Sequence, residues 1–316
     1  MTRLRVGLLA NPTAASGAAH RIGRQVAHLL RLSGISVVDV SGPNAPIARA
    51  RARELRDDLT ALVVVGGDGT VALGAEIVAE TPVRLGVVAA GSGNDFARAL
   101  RLPVDDPEAS VRNLLHALSR PVLTLDAIEV TSGLDHGPRQ RSVVLGNLSL
   151  GFDALVNERA NSGRGGLSRR YTIAVARELR RFGPLPYWLE IDGGERHELD
   201  ASLVTLCNTG WFGGGMQLSP HSRVEDGVLE LVTLEDLGRS QLVRYLPRVF
   251  GGRHTDVPGF SVRPVHSIAV GLRDGRDLRA YADGEPRARL PLQARVLPGA
   301  VRILGEPSPH REEPVR

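Results

Sequence analysis

The sequence predicts an α/β protein in two parts, an open parallel sheet followed by a mainly antiparallel β domain. Three observations predict it. A chain of 316 residues carries a prior of two domains at roughly 150 residues each. Its first 122 residues alternate strand-like and helix-like runs, the signature of a parallel sheet with crossover helices. From Leu123 that alternation gives way to strand-like runs separated by turns.

Taken in order, Leu4 to Ala10 is an apolar strand ending in Asn11-Pro12-Thr13. Ile22, Val26, Leu29 and Leu30 recur at helical spacing, with Gly34 as the stop signal. Ile35 to Val40 is a second strand, and Ala45 to Asp57 an arginine-rich helix. Ala61 to Val65 has no polar alternation, as expected of a central parallel strand covered on both faces, and Leu85 to Ala89 repeats the pattern. The expected strands of the second part are Leu123 to Val130, Ser142 to Leu150, Tyr187 to Ile191, Ser202 to Leu206, Val228 to Leu234, Ser267 to Leu272 and Leu292 to Leu304. Helices are expected at Leu167 to Phe182 and Ser240 to Phe250. The domains are therefore set at 1–122 and 123–304, with a frayed tail at 305–316.

Composition narrows the function classes. Apolar residues at 42 % and charged residues at 23 % suit a folded globular core. The single cysteine, Cys207, excludes an internal disulfide and a cysteine-rich zinc site, and its apolar neighbours predict burial. All 39 basic residues are arginine. Lysine nucleophiles, Schiff bases and a P-loop lysine are thereby excluded. The arginines, which give a pI near 9.9, favour phosphate and anionic membranes as partners, although genome composition alone produces the same bias. The opening residues are too short and interrupted for a secretory signal, and no apolar run approaches a bilayer span. A cytoplasmic protein is expected.

Three turns follow three of the strands. Gly66-Gly67-Asp68-Gly69-Thr70 succeeds the third strand and precedes a helix. Glycines there let backbone amides approach a phosphate, with the helix N-terminus adding favourable potential. Asp68 would repel a bare phosphate, so its presence argues for a metal-bound nucleotide. The alternative is a tight turn with positive φ. Gly91-Ser92-Gly93-Asn94-Asp95 follows the next strand, with Asn94 a candidate helix cap and Asp95 in the first turn. Asn11 to Gly17 supplies small hydroxyl residues and free amides. All three turns fall on the same edge of one sheet, where open α/β folds bind ligands.

These residues resemble the diacylglycerol kinase catalytic domain, shared by sphingosine kinases and soluble bacterial lipid kinases. The resemblance rests on Asn11-Pro12 with Ser16-Gly17, on Gly66 to Thr70, and on Gly91-Ser92-Gly93-Asn94-Asp95-Phe96-Ala97-Arg98. It continues through Gly213-Gly214-Gly215 with Pro220, Glu225-Asp226-Gly227-Val228-Leu229 and Asp283-Gly284-Glu285. The Gly-Gly-Asp-Gly loop alone is shared with NAD kinases and phosphofructokinases. The family fold it implies is a nucleotide-binding α/β domain of that kind followed by a β-sandwich-like lipid domain.

The resemblance implies an ATP- and Mg²⁺-dependent kinase acting on a membrane-lipid hydroxyl, most simply diacylglycerol. ATP would lie along Asn11, Pro12, Thr13, Ser16, Gly17, Ser41, Gly66, Gly67, Asp68, Gly69, Thr70, Gly91 and Ser92. Asp68 would act through the catalytic Mg²⁺, Asp95 and Asp126 would help place the acceptor head group, and Glu285 would be the general base. A structural Mg²⁺ would be held by Asp226 with the carbonyls of Arg223 and Val228. A plain β-turn at Asp226-Gly227 and a surface hairpin at Asp283-Gly284-Glu285 are the alternatives. The chain departs from the family at Ala72-Leu73, where Asn-Glu is usual, in a first loop one residue longer, and at Ala18, often basic.

Arg164, Arg169, Arg170, Arg177, Arg180 and Arg181 flank Tyr171, Ile173, Val175, Leu179 and Phe182 at helical spacing. Such a helix suits either an anionic bilayer surface or an ordinary solvated face over a core contact. No nucleic-acid motif is present, and a homo-oligomer is compatible with the sequence. Two rivals stand beside the lipid kinase, a NAD kinase and a catalytically weak nucleotide- or lipid-binding regulator.

Overall fold

The computed structural model describes residues 4–11, 18–133, 138–151, 183–235, 248, 252 and 254–305. The expected 167–182 helix and the 306–316 tail lie outside them, as does the 240–250 helix apart from residue 248. The chain divides into two compact units, one of residues 1–74, 82–123 and 302–316, the other of 75–81 and 124–301.

The first unit is built on strands β1 (Arg5–Ala10), β2 (Ser36–Asp39), β3 (Ala61–Gly66) and β4 (Arg84–Ala89), parallel in the order β2-β1-β3-β4. All six residues of β3 are buried, which is why its sequence lacks polar alternation. Helices α1 (Ala18–Leu32), α2 (Ala45–Leu55), α3 (Asp68–Val78), α4 (Asp95–Ala99) and α5 (Pro107–Leu118) complete the run. Val26 and Leu30 of α1 and Val111 and Leu114 of α5 share one core cluster with Val6, Leu8, Val63 and Val65. On the opposite face α3 lies close to the sheet at Gly74, where a Cβ would come within 2.5 Å of Val64 Cγ1. The α5 helix was not anticipated. It starts on the Asp106 side chain, which accepts from Ala109 N at 2.8 Å, with Pro107 in the first turn.

The second unit contains β5 (Leu123–Ser132), β6 (Gln140–Val144), β7 (Asn147–Ser149), β8 (Leu185–Ile191), β9 (Arg196–Cys207), β10 (Trp211–Phe212), β11 (Met216–Gln217), β12 (Leu229–Glu235), β13 (Phe260–Val265), β14 (Ser267–Leu272), β15 (Arg279–Ala282), β16 (Glu285–Arg289) and most of β17 (Leu292–Leu304). Its strand order is β16-β15-β7-β9-β8-β14-β17, with β12 and β13 branching from β9. The ladders of β9 with β7, β8 and β12 are antiparallel, as are those of β14 with β8 and β17. Ile128, Tyr187, Val204, Leu206, Leu229, Val270 and Leu292 fill a single core, and the fully buried Tyr187 donates its hydroxyl to Leu150 O at 2.6 Å. A buried phenol without that acceptor would be costly. Cys207 is buried, as expected.

Two differences from the sequence expectation have clear causes. The single strand expected over Ser142 to Leu150 is two, broken at Leu145-Gly146, because the Asp283 carboxylate occupies the place where a Gly146 Cβ would lie. Besides the short β10, β11 and β15, strands β13 and β16 were not anticipated, because each carries a proline and an exposed arginine. Both end their ladders, where a missing N–H and charged side chains are tolerated.

His254 gives this unit a pH dependence. It is buried at 2 % exposure, and its Nε2 sits 2.9 Å from Leu218 O. Its buried Nδ1 has no hydrogen-bond partner among the described residues. Burial pushes its pKa down, against the smaller opposing effect of the Leu218 bond. The unfolded chain therefore takes up a proton that the fold resists, and stability falls as pH drops below about 6.5. A His254→Gln variant should flatten that slope in melting curves taken across this pH range; an unchanged slope would place the titration elsewhere.

Candidate functional site

In the first unit the parallel order puts the carboxyl ends of β1, β3 and β4 side by side. Asn11 N donates to Val65 O at 3.2 Å, and Ala90 N to Gly66 O at 2.9 Å. These bonds bring the three strand ends together at one edge. The Asn11 side chain reaches Thr70 Oγ1 at 3.4 Å, tying the first turn to the start of α3. Ser41 Oγ accepts from Ala10 N at 2.9 Å, so it fastens the end of β1 to the segment after β2. Pro12, Thr13, Ser16 and Gly17 lie outside the described residues.

The glycines of the two central turns pack against each other. A Cβ on Gly67 would lie 3.2 Å from Gly91 Cα, and one on Gly91 would collide with the Gly67 backbone. Gly66 likewise leaves no room for a side chain beside Thr70. The turns can meet only because these positions are bare. Asp68 and Gly69 open α3, where a helix leaves amides without intrahelical acceptors. Ser92 is exposed in the second turn.

Asp68 has two engagements. Its Oδ1 accepts from Phe96 N at 3.0 Å and so caps α4 from a distance. Its Oδ2 points toward Gly93, 2.6 Å from the position a Cβ would take there, and Asp95 Oδ2 lies 3.8 Å from the same point. Two carboxylates thus converge over a bare glycine beside the start of α3. Asp95 also faces Arg98 at 3.7 Å. Asn94 holds the N-cap position of α4, but its side chain makes no capping hydrogen bond. It adopts φ 57°, and its side chain instead accepts from Gly91 N and donates to Gly91 O, both at 2.9 Å, closing the turn on itself. Hard oxygen donors beside helix-start amides fit a magnesium-bound triphosphate. Ala72 and Leu73 are both buried, so the positions usually polar in similar chains belong here to the core.

In the second unit Asp126 is 3 % exposed. Its Oδ2 accepts from Gly227 N and its Oδ1 from Gly299 N, each at 2.7 Å, while its own N–H donates to Val224 O. The carboxylate therefore anchors the turn that carries Arg223, Asp226 and Val228. Asp226 is exposed and accepts from Val228 N at 3.1 Å, with Gly227 at φ 75°. No three of His, Cys, Asp and Glu gather among the described residues. A hard cation at this turn would rest on one carboxylate and backbone carbonyls, donors that suit magnesium or calcium. Asp126→Ala should lower unfolding stability by about 1–3 kcal/mol for each backbone amide left without an acceptor. Denaturant melts of Asp126→Ala and Asp126→Asn check this, and a neutral Asp126→Ala would remove the anchoring role.

Glu285 is exposed, and its side chain makes no ion pair or hydrogen bond among the described residues. It opens β16 directly after a two-residue turn, Asp283 at φ 53° and Gly284 at φ 80°. Positive φ at both positions is the hairpin turn that matches strand twist. The hairpin is held beside Gly146 by Asp283 and to β7 by the Ala282–Leu148 pairing.

Two asparagines that the sequence reading missed connect these parts. Asn147 Oδ1 accepts from the backbone of Asn208 and Gly210, and its Nδ2 donates to Trp211 O at 2.7 Å. The fully buried Asn208 donates to Asp126 O at 2.9 Å and to Leu145 O at 2.7 Å. The Glu285 hairpin, Asn147, Asn208, Asp126 and the 223–228 turn thus form one hydrogen-bonded series. The only sequence signal was an Asn at or just after the end of an apolar run, which is too common to single out.

The model of the diacylglycerol kinase catalytic domain matches residues 5–127, and that of the YegS C-terminal NAD kinase beta sandwich-like domain matches residues 146–305. The chain is 32 % identical over 303 residues to a diacylglycerol kinase from Mycobacterium tuberculosis, covering 95 % of this chain and 94 % of that one. Its fold is similar to that of a diacylglycerol kinase from Bacillus anthracis str. Sterne, with a TM-score of 0.71 at 19 % identity over 97 % of this chain and 98 % of that one. It is also similar to an NAD kinase from Archaeoglobus fulgidus in complex with ATP, with a TM-score of 0.55 at 13 % identity over 96 % and 94 % of the two chains. At these identities the two structural likenesses are of fold.

Proposed function

The chain belongs to the diacylglycerol kinase family of lipid kinases, and from that premise we propose that it transfers the γ-phosphoryl group of ATP to a hydroxyl of a membrane lipid, most simply converting diacylglycerol to phosphatidic acid. The observation that carries this reading is the meeting of the three strand ends, with Asp68 and Asp95 converging over Gly93.

Phosphoryl transfer asks little covalent work of a protein and much positioning and charge neutralisation. The bare glycines Gly66, Gly67 and Gly91 admit a phosphate chain close to backbone amides. Bound Mg²⁺ supplies neutralisation of the charge that develops on the phosphoryl oxygens, and Asp68 is the carboxylate that would hold it. Phe96 N fixes one Asp68 oxygen, so the other keeps its direction. Glu285 is the candidate to take the proton of the acceptor hydroxyl, and the Asp126 anchor orders the neighbouring 223–228 turn. ATP use puts the activity at the cytoplasmic face of the membrane, where the arginines of 164–181 would meet anionic lipid.

The test is an assay with radiolabelled ATP, with and without Mg²⁺, on vesicles containing diacylglycerol, on the host's total lipid extract and on NAD. Label in a lipid product, dependent on Mg²⁺, supports the reading. Label in NAD alone would overturn it, and ATP binding without turnover on any lipid would assign the chain to a regulatory role, which the buried Ala72 and Leu73 favour.

A further inference from the structure

A cavity in the second unit is bordered by β16, the strand that Glu285 opens. It measures about 790 Å³, and Arg276, Arg279, Arg287 and Arg289 line it with Trp188 and the single carboxylate Asp277. Its charge is organised by the sheet. Arg279 on β15 stands directly opposite Arg289 on β16 in the antiparallel register. Arg287, two residues before Arg289, is the extra residue where the β15–β16 register shifts, and it lines the same cavity as Arg279 and Arg289. Like charges at facing positions destabilise a strand pair.

Internal compensation is incomplete. Arg289 pairs with Asp277, and Arg276 with Asp274 outside the cavity. The Arg279 side chain has neither an ion pair nor a hydrogen bond among the described residues. The Arg287 side chain is only 13 % exposed, and its ion pair, to Glu76, is long at 3.8 Å. Its buried Nε has no hydrogen-bond partner among the described residues. A half-satisfied, nearly buried guanidinium is costly unless a further acceptor completes it. Trp188 also lines the cavity; its ring lies so close over Gly271 that a Cβ there would meet it at 2.5 Å, and the Arg196 guanidinium stacks on the ring 4.0 Å from its centroid.

We propose that this cavity is a second binding site of the protein, taking a phosphate group through Arg279, Arg287 and Arg289. Three guanidinium forks lining one cavity match the oxygens of a phosphate, and an anion between Arg279 and Arg289 turns their repulsion into attraction. The cavity is far larger than one phosphate ion, so it accommodates a phosphate ester with its glycerol or similar group. The site binds without turnover, and its test is therefore independent of the kinase reading.

The test uses the full chain with Trp211→Phe, so that Trp188 is the remaining tryptophan. Its emission is followed at constant ionic strength against inorganic phosphate, glycerol 3-phosphate, and phosphatidylcholine vesicles with and without phosphatidic acid. Saturable changes with the soluble phosphates, weakened at least tenfold in Arg279→Gln and Arg287→Gln, identify a site for free phosphate esters. A response confined to phosphatidic acid vesicles and lost in the same variants identifies a lipid head-group site. Melting in phosphate-free buffer provides the second readout. Arg279→Gln relieves the facing charge and should melt no lower than the parent, while losing the rise in Tm that the bound probe produces. No response to any probe, an equal response in the variants, or a lower anion-free Tm in Arg279→Gln would overturn the proposal.

Discussion

Asp68→Asn is expected to lower phosphoryl transfer by at least about 100-fold, the scale on which losing one preorganised electrostatic contact slows an enzyme. The substitution keeps the shape of the side chain, and its Oδ1 can still accept from Phe96 N. What changes is the atom facing Gly93, where an anionic oxygen becomes an N–H₂ donor that repels a cation. The folded structure should survive, with melting temperature near that of the parent. Asp68→Ala separates the two duties of the residue. It removes the cap of α4 as well and should cost about 1 kcal/mol of stability, the usual value of a helix cap. Turnover of Asp68→Asn close to the parent, measured at saturating ATP and Mg²⁺, would take Asp68 out of the mechanism.

Glu285→Gln is expected to reduce kcat by roughly 10²- to 10⁴-fold, the range contributed by a positioned general base. A lipid alcohol is a poor nucleophile at neutral pH, and glutamine cannot accept its proton. Stability should hardly change, because Glu285 is exposed and its side chain holds no partner among the described residues. ATP affinity should stay at the parent value. The hairpin geometry makes the comparison clean, since the turn is set by Asp283 and Gly284 and not by the side chain that follows. If Glu285→Gln retained most of its kcat on the true lipid, the base would have to be sought elsewhere, with the kinase reading intact.

The sequence by itself determined the order of elements in the first unit and the edge at which its turns meet. Hydrophobic runs of strand length, helical spacing and glycine punctuation are local signals, and parallel connection forces the carboxyl ends to one side. Ala61 to Val65 announced its central place because a strand covered on both faces has no polar positions to show. Partners distant in sequence were another matter. That Asp68 caps α4 across 28 positions, leaving Asn94 to close its own turn, depends on how two loops approach through Gly67 and Gly91. Asp126 read as a substrate residue and is found holding Gly227 and Gly299 by their backbone amides. The edge strands β13 and β16 and the facing pair Arg279 and Arg289 were equally hidden. Register between strands sets them, and a pattern of single residues along one strand carries no record of what stands opposite.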